Sequence, residues 1–177
     1  LVQFYCTSRN LAVARELNNV EINMNAGETL TLLNDYVVNG YLLISKGVFS
    51  INNSTATVAR RLTVKGDLLV ESQGRMVTGA ANARHQLDLY GNFTNKGEVR
   101  FTNLTTADYA NEATDGIVDV NFLNGTKDQS VLCQGITNFY RIKIDKGIDQ
   151  TYVLNLDATC IANFKLSGYA AQQHGDM

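Results

Sequence analysis

LTVKGDLLVESQGRMV (Leu62–Val77) and LDLYGNFTNKGEVRF (Leu87–Phe101) follow one pattern twice, the second copy entering at Leu87 as the first does at Leu62. In each, an apolar/polar/apolar triplet runs into a polar or amphipathic residue and a glycine, Gly66 or Gly91. A short alternating run follows, a second glycine closes it at Gly74 or Gly97, and another alternating run leaves. Alternation with period two is the pattern of a strand with one buried face. Self-similarity at a period of roughly 20–50 residues marks stacked supersecondary units, each covering the apolar face of its neighbour. The expectation is an all-β chain: a parallel β-helix, or β-solenoid, with coils of about 25 residues and polar loop excursions.

Upstream, VVNGYLLISKGVFSI (Val37–Ile51) repeats the pattern with Gly40 and Gly47. The leading glycines Gly40, Gly66 and Gly91 are almost evenly spaced, which puts coils at 37–51, 62–77 and 87–101. Between coils lie Ser-, Thr-, Ala- and Asn-rich excursions at Asn52–Arg61, Thr78–Gln86 and Asn103–Ala113. Insertions into stacked units emerge at one turn position, so these segments are expected to share an edge, and recognition is expected on it.

The flanks read less sharply. Val2-Gln3-Phe4 alternates like a strand, whereas Leu11, Ala14 and Leu17 predict one short helix over Asn10–Leu17. Strands are expected at Val20–Ile22, Thr29–Leu33, Val118–Phe122, Ser130–Cys133, Asn138–Ile144, Thr151–Leu156 and Cys160–Leu166. Within Asn138–Ile144, Tyr140, Ile142 and Ile144 are expected to face the core. A longer repeat also suggests itself. Val2–Phe4 matches Val120–Phe122, the strand ending at Ile22 matches Arg141–Ile144, Gly27 matches Gly147, and the run to Gly40 matches the run to Gly168. On that reading 1–117 is one module, and 118–177 continues the coils as the opening of a second module of the same array.

Composition narrows the function classes. The chain has 177 residues, 45% hydrophobic and 18% charged, which suits a folded domain rather than a disordered one. Lys and Arg number 15 against 17 Asp and Glu, so there is no basic field for a nucleic-acid partner. No apolar run approaches the ~20 residues of a transmembrane helix. Proline and tryptophan are absent, leaving turns to Gly, Asn and Asp, which keep every backbone donor available to continuous ladders. Cys6, Cys133 and Cys160 are odd in number and far apart, a spacing that suits small buried hydrophobes better than a metal knuckle.

No motif for hydrolysis, phosphate binding or metal ligation occurs, so no catalytic, cofactor-binding or metal site is assigned and no cofactor is expected. His85 and His174 read as loop and tail residues. Asp115 with Asp119, and Asp145 with Asp149, are the carboxylate pairs a polysaccharide-active β-helix enzyme or a calcium site would use. Both pairs flank glycine turns, where Asp is expected for local reasons. Tyr36, Tyr41, Tyr90, Tyr109 and Tyr169 lie near turns and could form a sugar platform or simply border the core. Sequons fall at Asn52, Asn53, Asn92, Asn103 and Asn124.

The strand–glycine–strand pattern of LTVKGDLLV and LDLYGNFTNKGEVRF, followed by NFYRIKIDKGIDQTYVLNL, resembles the β-strand repeats of large secreted surface proteins and adhesins of Bacteroidetes, over about Val20 to Gly168. The resemblance implies an extracellular or cell-surface location, stacked parallel strands, and a non-enzymatic role as a stalk or adhesive repeat. Its partners would be further repeats of the parent chain, and a surface glycan or a host or cell-surface protein. A carbohydrate-binding module is the alternative, and a polysaccharide-active enzyme stands behind it.

Overall fold

Strands in this chain pair with the matching strands of the preceding and following repeats, not with their sequence neighbours. The computed structural model describes residues 1–12, 16–52, 57–79, 83–102, 116–149, 151–157 and 161–167. The strands are β1 (Val2–Cys6), β2 (Arg9–Leu11), β3 (Glu16–Leu17), β4 (Val20–Met24), β5 (Thr29–Leu32), β6 (Tyr36–Val38), β7 (Leu42–Ser50), β8 (Arg61–Val64) and β9 (Leu68–Val77). They continue as β10 (Arg84–Leu89), β11 (Phe93–Asn95), β12 (Glu98–Arg100), β13 (Ile117–Phe122), β14 (Gln129–Cys133), β15 (Ile136–Phe139), β16 (Arg141–Ile144), β17 (Leu154–Asp157) and β18 (Phe164–Leu166). Among the described residues the only helix is one turn of 3-10 geometry at Ile161–Asn163.

Among the described residues all pairings between these strands are parallel, and they sort into three ladders. The first runs β1-β4-β7-β9-β11-β14-β17. The second runs β2-β5 to the far half of β7, then the far half of β9, then β12-β15-β18. The third is a separate six-stranded sheet, β3-β6-β8-β10-β13-β16. The chain therefore visits ladders one, two and three in fixed order, and β7 and β9 are long enough to serve the first two without a break. Seven strands stacked at ~4.8 Å make the first ladder about 29 Å tall.

Register turns the sequence alternation into columns. Val20, Leu42, Leu68 and Phe93 pair in succession in ladder one, and Tyr36, Leu62, Leu87, Val120 and Ile142 do so in ladder three. All nine are buried and face one continuous core. In the later strands the core widens into rings: Phe139 lies 5.6 Å from Phe93, 5.7 Å from Phe101 and 5.6 Å from Phe164, centroid to centroid. These tilted contacts suit aromatic quadrupoles. Burial of such apolar columns is the main stabilising term, since the inward side chains of the middle rungs are covered from above and below, while Phe4, Leu11, Leu17, Leu154, Phe164 and Leu166 at the ends are partly buried.

Glycine columns build two of the three corners. Where ladder three passes to ladder one, a Cβ on Gly66 would come 2.7 Å from the Gly40 carbonyl, and one on Gly91 would strike the Gly66 carbonyl. Where ladder one passes to ladder two, Gly47 pairs with Gly74, and side chains on Gly97 and Gly135 would strike the rung beneath each. Gly47 also has φ +82°, a left-handed turn that glycine adopts without a Cβ clash. The paired glycines that mark the sequence repeat are thus sites of close backbone approach.

Several sequence expectations change. The segment Asn10–Leu17 is not one helix: Arg9–Leu11 pairs with Leu30–Leu32, and Glu16–Leu17 pairs with Val37–Val38. Three apolar residues at helical spacing are outweighed by ladder hydrogen bonds, because a helix this short is marginal alone. Alternation also fails through Asn138–Ile144. Phe139 is buried, Ile144 is 45% exposed, and Tyr140 sits between β15 and β16 as a corner residue packed with Ile117. The chain changes ladder there, which resets which parity faces inward. Thr151–Leu156 yields a strand only from Leu154, and Ile161–Leu166, the described part of Cys160–Leu166, only from Phe164.

The segments matched in the longer repeat occupy different ladders. Val2–Phe4 lies in ladder one and Val120–Phe122 in ladder three, and likewise Val20–Ile22 and Arg141–Ile144. Their likeness is that of any alternating strand. Strand β13 pairs with β10, and a single buried cluster runs from Val20 to Ile142. No helix of the described residues is long and apolar enough to cross a membrane.

Candidate functional site

The third corner, from ladder two to ladder three, is where the excursions leave. Their described ends are stacked: Ile51 N–H donates to Val77 O at 3.0 Å, Gln86 N–H to Arg60 O at 2.9 Å, and Ile117 N–H to Ala83 O at 3.0 Å. The described ends of Asn52–Arg61 and Thr78–Gln86 therefore lie along one edge, whereas Asn103–Ala113 falls outside the described residues. Residues 53–56, 80–82 and 103–115 lie outside the described set. Beside this edge is an open hollow of about 200 Å³ lined by Asp35, Ala59, Arg60, Arg61, Arg84 and Gln86.

Two of the arginines on that edge are engaged by the outward face of ladder three. Arg84 grips Asp119 at 2.7 Å, and Arg61 donates to Gln86 Oε1 at 2.8 Å while lying 3.6 Å from Asp88. Asp88 is nearly buried and accepts from Gln86 at 2.8 Å and from Asn121 at 2.7 Å. Arg84 and Arg141 also flank the Tyr140 ring, at 6.0 and 5.9 Å from its centroid, within cation–π range. Parallel register aligns these residues, and their hydrogen bonds tie successive rungs together.

The corner from ladder three to ladder one has different chemistry. Lys65 N–H donates to Val38 O, Tyr90 N–H to Val64 O and Leu123 N–H to Leu89 O, so Lys65, Tyr90 and Leu123 stand on consecutive rungs of one column. They line an open hollow of about 560 Å³ with Asn124, Gly125 and Thr126. Its wall is fixed. Asn124 Nδ2 donates to Tyr90 O at 2.7 Å, and Asn124 Oδ1 accepts from Thr126 N–H at 2.9 Å and from its hydroxyl at 2.8 Å. Gln129 anchors this wall from within, donating to Leu89 O and Gly91 O at 3.1 and 2.6 Å. The Lys65 ammonium and the Tyr90 hydroxyl have no partner among the described residues, and Tyr90 is 36% exposed.

Side-chain amides and carboxylates elsewhere along this corner serve the backbone. Asn19, Asp67, Asn92 and Asp128 accept from the N–H groups of Tyr41, Asn92, Ser130 and Val153, each one rung on. Chain bends take these donors out of the ladder, and the short Asx side chains satisfy them.

The sequence candidates separate as follows. His85 is fully buried in β10, not a surface loop residue; its Nδ1 accepts Arg60 N–H at 3.0 Å, and burial pushes its pKa down to about 4. Asp119 belongs to the Arg84 pair. Asp145 pairs with Lys143 at 3.3 Å and stands four residues past Arg141, the register partner of Asp119, a backbone offset of about 13 Å along the strand direction. Thr151 holds the Asp149 carboxyl below its usual range, through its backbone N–H first and its hydroxyl second. Asp115, His174, Tyr109, Tyr169, Cys160, Asn53 and Asn103 lie outside the described residues.

Of the two readings left open for the tyrosines, Tyr36 follows the core one, whereas Tyr41 and Tyr90 are exposed. Cys6 is exposed and Cys133 buried. Of the sequons, Asn52 is buried, and the Asn92 and Asn124 amides are held in hydrogen bonds. Sequence reasoning missed the pairing of Lys65 with Tyr90. The signal was available, because both residues precede the leading glycine of successive repeats. Compared with protein-family models, with curated proteins and with solved structures, the chain matches none.

Proposed function

We propose that the chain is a parallel β-helix that serves as a non-enzymatic structural and adhesive segment of a larger secreted or cell-surface protein. The observation that carries this reading is the fixed cyclic order of the three ladders, with register kept from rung to rung. Such a stack is quasi-one-dimensional: each rung depends on its neighbours, lengthens the rod, and offers its corners for display. Of the carboxylates that an enzyme reading would recruit, Asp119 is engaged with Arg84 of the neighbouring rung. Antibodies raised against the chain should label intact cells of the source organism. Labelling only after permeabilisation would overturn the surface location.

A second reading, a carbohydrate-binding module, is supported by one feature, the hollow where an exposed ring and an ammonium without a partner among the described residues stand on adjacent rungs. Such a function is compatible with the rod, since the hollow is built on its corner and not on the excursions.

A further inference from the structure

We propose that the hollow at Lys65, Tyr90 and Thr126 binds a saccharide unit carrying a carboxylate, a hexuronate within an acidic polysaccharide. This deepens the adhesive reading and rests on it, by naming what the rod would adhere to. Three observations converge. Tyr90 offers partly exposed aromatic surface, against which the C–H-rich face of a pyranose packs. Lys65, one rung away, is an ammonium with no ion-pair partner among the described residues, and the rung spacing of ~4.8 Å is about the breadth of one sugar ring. A carboxylate on that ring thus falls to a cation placed for a charge-assisted hydrogen bond.

The third observation is preorganisation. The turn at Asn124–Thr126 is tied to Tyr90 O and, through Gln129, to Leu89 O and Gly91 O. The Thr126 hydroxyl already donates to Asn124, which leaves its lone pairs to accept from a sugar hydroxyl. The open hollow of about 560 Å³ leaves room for a sugar unit, and its lining sets apolar Leu123 beside polar Asn124 and Thr126. The edge hollow at Arg60, Arg61 and Arg84 is the weaker candidate, because Arg61 and Arg84 are bound to Gln86 and Asp119.

The test is calorimetric titration of the full chain with tetragalacturonate, tetramannuronate, and fully methyl-esterified tetragalacturonate, which keeps the ring and loses the charge. At least one acid should bind, and more tightly than the ester by about tenfold, the usual weight of one charged hydrogen bond. Tyr90→Ala should abolish binding, Tyr90→Phe should retain it, and Lys65→Gln should erase the preference for acid over ester. Tyr5→Ala, an exposed tyrosine in β1, should change nothing. Binding of neither acid at millimolar concentration, wild-type affinity in Tyr90→Ala, or an acid preference that survives Lys65→Gln would each overturn the site. A variant or wild-type chain that binds no sugar yet keeps its β-sheet circular dichroism and melting temperature would leave the structural side of the reading standing.

Discussion

Lys146 donates its ammonium to Gln129 Oε1 at 2.8 Å, and both residues are buried where ladder three turns back to ladder one. The same ammonium reaches Lys127 O at 2.7 Å, and the Gln129 amide reaches the Leu89 and Gly91 carbonyls of the preceding rung. Burial pushes the Lys146 pKa down, opposed by Asp128. One lysine and one glutamine thus tie the wall of the hollow beside Lys65 and Tyr90 to the rungs on either side.

Removing each partner should have unequal effects. Lys146→Met leaves Gln129 Oε1 with only its Asn124 N–H contact and should cost about 1 kcal/mol. Gln129→Met takes the Gln129 donor from Gly91 O, leaves Leu89 O with Leu123 N–H alone and the buried Lys146 ammonium with Lys127 O alone, and should cost about 2 kcal/mol. The double variant should lose less than the sum. Urea unfolding of all three checks this, and strict additivity would mean that the two side chains do not interact.

Glycines of two kinds should respond differently. Gly27 has φ +79° with open space around its missing Cβ, so Gly27→Ala should cost about 1–2 kcal/mol from backbone strain alone. Gly91→Ala places a methyl group on the Gly66 carbonyl and must push neighbouring rungs apart, so it should cost more, and Gly91→Val more still. Thermal melting ranks them. Equal losses at both sites would contradict the stacking of Gly91 on Gly66.

Acid should weaken the fold through His85. Its pKa falls from 6.5 to about 4 on folding because burial disfavours the imidazolium, with Arg60 adding to the effect. The unfolded chain therefore binds more protons between those values. The stability associated with neutral His85 is whole above pH 6.5, declines as pH falls, and is gone below about 4, a change of up to ~3 kcal/mol. His85→Asn should flatten this stretch of the stability–pH curve. An unchanged slope would place the pH dependence elsewhere.

Cysteine accessibility offers a covalent check on the register. Cys133 is buried in the ladder-one column beside Asn95, and burial raises its thiol pKa, so the reactive thiolate is scarce. Cys6 is exposed in β1. Brief alkylation of the native chain followed by peptide mapping should mark Cys6 and spare Cys133 until denaturant is added. Early labelling of Cys133 would mean that the column is not closed.

Legibility in the sequence followed locality. Val37–Ile51, Leu62–Val77 and Leu87–Phe101 could be aligned because their rungs have similar lengths and the same pair of corner glycines. Phe93, by contrast, pairs with Val131, a longer step than that from Leu68 to Phe93, because the third excursion lengthens the cycle. Past it the period is lost to inspection, and Gly135, stacked on Gly97, was not recognised as a member of its column. Tyr36 was ambiguous for another reason. A tyrosine at a strand end faces inward or outward depending on the angle of a corner, which no local pattern records.

The sequence by itself determined that the chain is all-β, that its strands recur with the spacing of Gly40, Gly66 and Gly91, and that its excursions leave from one side of the repeat. Those are consequences of side-chain alternation and of where a backbone tolerates no Cβ, and both are written residue by residue. Tertiary structure alone decided that the strands form three parallel ladders, that His85 is buried, and that Lys65 and Tyr90 stand side by side. Those are consequences of register: a full circuit of intervening chain brings the two side chains onto neighbouring rungs, and only the pairing of β8 with β10 fixes which residues meet.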